Sequence, residues 1–154
     1  MNEAGRIPEP RAAGATIMTA IALAAVAGVA VSSVSLYEHF ATSTTSFCNF
    51  SESFNCDLVN RSAYSTILGV PVALIGMVGY LLVATLATVY RRLAETPMLL
   101  LIVSVIGLGF ALYLAYVEKF VLGAWCILCL ASLGLIAIEV MLSVVAAVKA
   151  RKRD

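Results

Sequence analysis

Apolar residues dominate four long stretches of the chain, and polar residues are concentrated between them. The stretches run from about Ala15 to Leu36, Ile67 to Tyr90, Met98 to Tyr116 and Trp125 to Val148. Each has roughly the 20 residues with which an α-helix crosses about 30 Å of hydrocarbon. Because lipid cannot hydrogen-bond an open backbone, segments of this kind cross it as helices. The pattern predicts an all-α membrane protein, a bundle of four transmembrane helices with a long loop between helices 1 and 2.

The composition agrees with this prediction. Of the 154 residues, 62% are hydrophobic and only 12% are charged, whereas soluble domains have about 25% charged residues. This excludes a soluble enzyme and a disordered segment. The net charge of +1 gives no broad basic face, so we expect no nucleic acid partner.

The first apolar stretch is preceded by Arg6 and Arg11, as a secretory signal peptide would be. Its apolar run is longer than the 7–15 residues typical of the apolar region of a signal peptide, and no convincing small-x-small cleavage site lies between it and the loop. We therefore expect a retained helix.

Basic residues are distributed unevenly between the two ends of the predicted helices. One end has only Arg61 and Lys119, and the other has the remaining eight: Arg6, Arg11, Arg91, Arg92, Lys149, Arg151, Lys152 and Arg153. The positive-inside rule puts the basic end in the cytoplasm. We therefore predict a membrane protein with a cytoplasmic tail over 1–14, a membrane domain over 15–148 with its extracytoplasmic loop at about 37–66, and a basic cytoplasmic tail over 149–154.

All four cysteines fall on the predicted outer face, although the charge count took no account of sulfur. Cys48 and Cys56 lie in the long loop, and Cys126 and Cys129 lie where helix 4 begins. The outer compartment is the oxidising one, in which disulfides persist. Two local cysteine pairs there suggest disulfides or a redox relay.

Cys126 and Cys129 form a C-x-x-C motif in the predicted first turn of helix 4. At i and i+3 both sulfurs lie on one helix face, where free N–H groups and the helix dipole stabilise a thiolate. The alternatives are buried cysteines that only pack, and a metal site, for which His39 is the only histidine. The spacing favours redox chemistry over packing and packing over a metal, so we expect no metal.

A bridge between Cys48 and Cys56 would close a nine-residue loop, which is worth roughly 2–3 kcal/mol. A structural staple and a redox role both fit this pair. Two dithiols on the same face favour the redox role, because they can exchange electrons through a mixed disulfide. Phe47, Phe50 and Phe54 suggest a loop that lies against the bilayer, and the anionic Glu52 and Asp57 disfavour a thiolate at Cys56.

Several motifs occur together in a specific order. The wide cysteine pair is followed by Ser62-x-Tyr64-Ser65, Gly69-Val70-Pro71, Gly76-x-x-Gly79-Tyr80 and the C-x-x-C. In this combination the chain resembles the vitamin K epoxide reductase family from helix 1 onward, as a bacterial-type homologue without a fused thioredoxin domain. The resemblance implies a place in the bacterial inner membrane. The resemblance implies a four-helix bundle around a quinone pocket that the helix 1–2 loop caps.

The resemblance also implies roles for individual residues. Cys129 corresponds to the quinone-facing thiol, Cys126 to its partner, and Cys56 with Cys48 to the shuttle pair. Further residues of the pocket would be Ser62, Pro71 and Tyr80. The electron acceptor would be a quinone of the ubiquinone, menaquinone or vitamin K type.

The chain stops soon after helix 4, whereas many bacterial members of this family carry a fused thioredoxin-like domain. We therefore expect a separate thioredoxin-fold partner outside the cytoplasm, whose electrons pass through both cysteine pairs to the quinone and so support disulfide formation. Two alternatives stay open. One is a eukaryotic-type enzyme that reduces vitamin K epoxide, and the other is a small transporter in which Glu139 carries protons and the cysteines are staples.

Overall fold

The computed structural model of the chain describes residues 10–41, 48–51 and 53–152. Five α-helices account for most of them: α1 (Pro10–Phe40), α2 (Cys56–Asn60), α3 (Val72–Thr88), α4 (Thr96–Val117) and α5 (Ile127–Arg151). A π-helical turn, Glu118–Leu122, extends α4. Short strands between α1 and α3 form two antiparallel hairpins, β1 (Asn49–Ser51) with β2 (Phe54–Asn55) and β3 (Thr66–Ile67) with β4 (Val70–Pro71).

Three helical segments are long and apolar enough to cross a membrane, namely Gly14–Phe40, Thr96–Leu122 and Ile127–Arg151. They coincide with the first, third and fourth predicted helices. The second, α3, is apolar but has only 17 residues. The protein is thus mainly helical, with three long apolar helices and one shorter one.

The predicted start of the second helix at Ile67 is wrong. Ile67 pairs with Val70 across a turn formed by Leu68 and Gly69, whose φ angles are 52° and 82°. The left-handed conformation of these two residues interrupts any helix. Pro71 then disfavours the helical conformation in the residue before it, so α3 begins only at Val72.

The predicted start of the last helix at Trp125 is also wrong, by two residues. Trp125 makes a parallel bridge to Phe54 in the loop, and α5 begins at Ile127. Cys126 is therefore the N-cap residue, with φ −104° and ψ 118°, and not part of the first helical turn. The tertiary pairing of Trp125 holds this segment extended.

The long helices pack around a small apolar core. Helix α1 contacts α3 and α5, and α4 contacts α5 and α3. Ile21 and Ala25 of α1 meet Val83 and Ala87 of α3, and Leu100 of α4 completes the cluster.

Helix α1 and α3 approach closely at one glycine. A Cβ atom at Gly28 would lie 2.3 Å from the Tyr80 ring. Only a glycine leaves room for that ring, so Gly28 allows the Tyr80 side chain to pack directly against α1.

The two ends of the bundle differ in composition. At one end Arg91, Arg92 and Lys149 border a shared hollow with Gly14. At the other end the α1–α3 connection contacts the start of α5, and the cysteines gather there. The cysteines thus lie at the end of the bundle away from these three basic residues.

Candidate functional site

Backbone hydrogen bonds tie the loop of the first cysteine pair to the segment of the second. The Asn55 N–H donates to the Trp125 carbonyl at 3.1 Å, and the Trp125 N–H donates to the Ser53 carbonyl at 2.8 Å. Asn55 directly precedes Cys56, and Trp125 directly precedes Cys126. These bonds therefore bring Cys56 alongside Cys126, 70 residues away in the sequence.

Polar side chains fix the short helix that begins with Cys56. The Asn55 side chain accepts a hydrogen bond of 2.9 Å from the Leu58 N–H, which is an N-cap. The Asn49 amide donates to the Asp57 carboxylate at 2.8 Å. The charge of Asp57 is thereby directed towards Asn49.

Three sulfur atoms lie together in this structure. Cys48 and Cys56 form a disulfide with their Cα atoms 5.6 Å apart, and the Cys126 Sγ lies 3.4 Å from the Cys56 Sγ. All three side chains are fully buried, among Val59 and Ala124. Cys126 and Cys129 are free thiols.

This contact is suited to thiol–disulfide exchange, in which a thiolate attacks a disulfide sulfur and a mixed disulfide forms. A metal ion would require a different state, because two of the three clustered sulfurs are joined to each other. They would first have to be reduced and deprotonated to act as ligands. The geometry therefore agrees better with the redox interpretation of the two pairs than with metal binding.

The Cys126 thiol is activated relative to an ordinary cysteine. A hydrogen bond from the Cys129 side chain, with smaller contributions from the backbone of Cys129 and Leu128, lowers the pKa of Cys126. Together these bonds outweigh the burial and the Glu118 charge, which raise it. Because a thiol of lower pKa is a better leaving group in exchange, Cys126 would be released readily from a mixed disulfide with the adjacent Cys56.

A cavity of about 440 Å³ lies beside the cysteines. Its lining includes Cys129 and also Ser62, Pro71 and Tyr80, the residues expected in a quinone pocket. The structure thus brings these four residues to one space, although they come from α5, the loop and α3. Apolar side chains form most of the remaining wall, including Val83, Val103, Ile106, Phe110, Leu114 and Leu128.

The hydroxyl groups of two of the predicted pocket residues donate hydrogen bonds to backbone carbonyls. The Ser62 hydroxyl donates to the Val59 carbonyl at 2.8 Å. The Tyr80 hydroxyl donates to the Ser132 carbonyl and pairs with the Ser132 hydroxyl, both at 2.9 Å. Ser62 and Tyr80 therefore shape the cavity through these bonds.

Asn60 is a polar lining residue that the sequence analysis did not identify. It is buried, and its side-chain oxygen accepts a hydrogen bond of 2.9 Å from Ser35. Its carbonyl lies 2.5 Å from the His39 Nδ1. In the described part of the chain its amide nitrogen has no hydrogen-bond partner, so the cavity has an available donor in its wall.

Glu118 is the second residue that the sequence analysis missed. It begins the π-helical turn, is 1% exposed and lines the cavity. One carboxylate oxygen accepts a 3.0 Å hydrogen bond from the Cys126 N–H. The available signal in the sequence was weak, namely a carboxylate at the end of an apolar stretch, eight residues before Cys126.

The other charged candidates have different surroundings. His39 lines the cavity. Arg61 is exposed and donates to the Ala41 carbonyl. Glu139 is fully buried, and neither carboxylate oxygen has a hydrogen-bond partner among the residues that the structure describes. The predicted proton transport through Glu139 stays a prediction, and Phe47 and Glu52, expected to act in the loop, lie outside the described residues.

Comparison with known proteins identifies a family. The model of the vitamin K epoxide reductase family matches residues 19–144, which is most of the chain. The comparison with curated proteins found no match to the chain.

Proposed function

The chain belongs to the vitamin K epoxide reductase family, and on that premise we propose that it is a quinone-dependent thiol oxidase of a bacterial cell membrane. Membership implies an oxidoreductase that acts on thiols and disulfides. The observation that supports this specific reaction best is the 3.4 Å contact between the Cys56 and Cys126 sulfurs. It connects the loop disulfide to a dithiol that borders an apolar cavity.

In the proposed cycle, electrons enter at the loop pair and leave at the C-x-x-C. A reduced partner thiolate attacks the Cys48–Cys56 disulfide and forms a mixed disulfide with Cys48. The released Cys56 thiolate attacks Cys126 of an oxidised Cys126–Cys129 pair, and Cys129 leaves as a thiolate. The second thiol of the partner then releases Cys48, and Cys48 attacks Cys56 and releases Cys126. The loop disulfide is restored, and the Cys126–Cys129 dithiol carries the electrons.

The arrangement of the cysteines is compatible with one stage of the proposed cycle. The loop pair is oxidised and Cys126 and Cys129 are free thiols, which is the state in which the inner pair carries the electrons. The next transfer would be to the quinone. Of the two thiols, only Cys129 lines the cavity, which supports its role as the thiol facing the acceptor.

The partner we propose is a separate thioredoxin-fold oxidoreductase outside the cytoplasm. Cys48 and Cys56 are both fully buried here. Attack on their disulfide therefore requires the loop to move away from α5. The hydrogen bonds of Asn55 and Ser53 with Trp125 are the contacts that such a movement would break.

The cavity residues fit a quinone head group. Ligand cavities range from about 300 to 1,000 Å³ and combine apolar walls with a few polar groups, and this one is about 440 Å³. The amide of Asn60 offers a hydrogen-bond donor to a carbonyl oxygen. Ser62, Pro71 and Tyr80 would shape the site, and a bound quinone would supply the capacity to accept two electrons and two protons.

We further propose that α3 is a fourth membrane span. Its 17 residues extend about 26 Å at 1.5 Å per residue, close to the thickness of the hydrocarbon core. An even number of spans would put both chain ends and Arg91–Arg92 in the cytoplasm by the positive-inside rule. The cysteines would then face the oxidising compartment.

The test uses purified protein, a soluble ubiquinone or menaquinone analogue, and a reduced thioredoxin-fold protein from a bacterial periplasm. Quinol formation should depend on both cysteine pairs and should be lost in Cys129→Ala. Ile127→Ala is the matched control, because Ile127 lies in the same helical turn, is exposed and is not among the cavity-lining residues. Its rate should match wild type. Quinol formation that persists in Cys129→Ala contradicts the proposal.

A further inference from the structure

The Glu118 carboxylate has one oxygen that its hydrogen bond with the Cys126 backbone does not account for. One carboxylate oxygen, Oε2, accepts the hydrogen bond from the Cys126 N–H at 3.0 Å. The other, Oε1, is buried and has no hydrogen-bond partner among the described residues. A buried carboxylate with a free oxygen is energetically costly, and this one also borders the cavity that Cys129 lines.

Local structure directs this carboxylate towards the cysteines. Glu118 begins the π-helical turn that ends at Leu122, and Gly123 follows with φ 66°. The Ala124 N–H donates back to the Glu118 carbonyl at 3.2 Å. This tight reversal carries the chain from Glu118 to Cys126 within eight residues, and π-helical turns are frequent at functional sites.

Both thiols of the C-x-x-C are within the electrostatic reach of Glu118. Its charge acts on Cys126 and on Cys129. Oxidation of this dithiol to a disulfide removes two electrons and two protons, and a quinone becomes a quinol by gaining the same number. A group that borders both thiols and the cavity is therefore placed where these protons must move.

On the basis of the proposed function, we propose that Glu118 is the proton-transfer residue of quinone reduction. Its Oε1 accepts the proton of each thiol in turn and releases it to a quinone oxygen. The Cys126–Cys129 sulfur–sulfur bond forms as the two S–H bonds break, two electrons and two protons end on the quinol, and Glu118 is again a carboxylate.

Other titratable groups border the same space. Those lining the cavity besides Glu118 and Cys129 are His39 on α1, Tyr64 in the loop and Tyr80 on α3. His39 Nδ1 and the Tyr80 hydroxyl are both engaged, with the Asn60 carbonyl and with Ser132. Cys56 on α2 is held in the disulfide. The free oxygen of Glu118 and its contact with Cys126 distinguish it from these groups.

The principal variant is Glu118→Gln, which keeps the shape and an acceptor for the Cys126 N–H but removes the proton-carrying group. The matched control is Glu95→Gln, because Glu95 is exposed at the opposite end of the same helical segment. Prereduced protein is mixed with a soluble quinone analogue in stopped flow between about pH 5 and 9. General acid–base groups contribute on the order of 10²–10⁴-fold, so Glu118→Gln should be slower by at least about 10²-fold, and Glu95→Gln should match wild type.

A second readout needs no quinone. Titration of the thiolate absorbance in the reduced protein follows the ionisation of Cys126. Because the charge of Glu118 raises the pKa of Cys126, Glu118→Gln should form this thiolate at a lower pH than wild type. Easier ionisation together with slower quinone reduction is the expected signature, and a residue that only supports the fold would not produce it.

Two results separate this inference from the proposed function. Wild-type protein that does not reduce quinone contradicts both. Wild-type protein that reduces quinone, with a Glu118→Gln variant within about threefold of its rate, contradicts the inference alone. If Glu118→Gln does not fold, Glu118→Asp replaces it, since it retains a displaced carboxylate. A slower reaction with an increased solvent deuterium isotope effect is then expected, and a wild-type rate and isotope effect overturn the inference.

Discussion

Substitution of Gly28 by alanine should destabilise the bundle and damage the cavity together. The added Cβ would lie 2.3 to 2.5 Å from three atoms of the Tyr80 ring. Carbon atoms pack best at about 3.5–4.0 Å, so the ring must move by about 1 Å or more. Tyr80 is buried, and it cannot move without disturbing its neighbours.

The magnitude follows from two contributions. Overpacking of a buried site costs about 1–3 kcal/mol. Movement of the ring also stretches the 2.9 Å bonds from the Tyr80 hydroxyl to Ser132, and a lost hydrogen bond costs about 1 kcal/mol. We expect Gly28→Ala to lower the free energy of unfolding by about 2–4 kcal/mol. Because Tyr80 lines the cavity, the KM for a quinone analogue should rise as well.

The assay is unfolding in mixed micelles of a mild detergent and dodecyl sulfate, with quinone kinetics on the same samples. Gly109→Ala is the matched control, because a Cβ there meets no atom within 4 Å. In a Tyr80→Ala background the clash is gone, so Gly28→Ala should cost less than about 0.5 kcal/mol. A Gly28→Ala protein as stable as Gly109→Ala, or an equal cost in both backgrounds, would refute this reasoning.

Three further predictions concern the cysteines. Asn55→Ala removes the cap on the Leu58 N–H and should cost about 1 kcal/mol while slowing exchange between Cys56 and Cys126. Asn55→Ser retains a cap without adding a charge and should show neither effect, and equal unfolding curves and exchange rates for the two variants would count against the capping role. Cys129→Ala removes the hydrogen bond that lowers the pKa of Cys126, so the Cys126 thiolate should form at a higher pH than in wild type; an unchanged or lower midpoint in thiolate absorbance would exclude this cause. In the reduced wild-type protein the lowered pKa of Cys126 stabilises the folded state. This stabilisation is fully present above the unfolded-state pKa of cysteine and is lost as the pH falls through the folded-state pKa. Measuring the free energy of unfolding at a series of pH values tests this dependence.

The sequence predicted the long helices because their signal is local. A run of apolar residues identifies a membrane helix without knowledge of its neighbours. The ends were less predictable, because tertiary contacts set them. Trp125 is apolar and continues the helical pattern, yet its hydrogen bonds with Ser53 and Asn55 hold it extended. Leu68 interrupts a helix through its φ of 52°. Leucine rarely adopts a positive φ, so its identity gave no indication of this turn.

The candidate site was also predictable only in part: its cysteines were predicted, and its buried polar residues were not. Charge asymmetry assigned all four cysteines to one face, and the structure gathers them at one end of the bundle. Glu118 was missed because a carboxylate at the end of an apolar stretch is usually solvated. Only the reversal at Gly123 and the approach of Cys126 bury it. Asn60 was missed for a similar reason, since its burial depends on contacts with Ser35 and His39 from α1.

The most direct test of the central claim asks whether Cys56 and Cys126 exchange electrons. A Cys48→Ser, Cys129→Ser double variant leaves only these two cysteines, whose sulfur atoms are 3.4 Å apart in the present structure. Mild oxidation followed by non-reducing peptide mapping should give a Cys56–Cys126 disulfide in nearly every molecule. The Cys48→Ser, Cys126→Ser variant, which leaves Cys56 and Cys129, should give much less cross-link. Absence of the Cys56–Cys126 disulfide, or equal yields in the two variants, would contradict a relay through this contact.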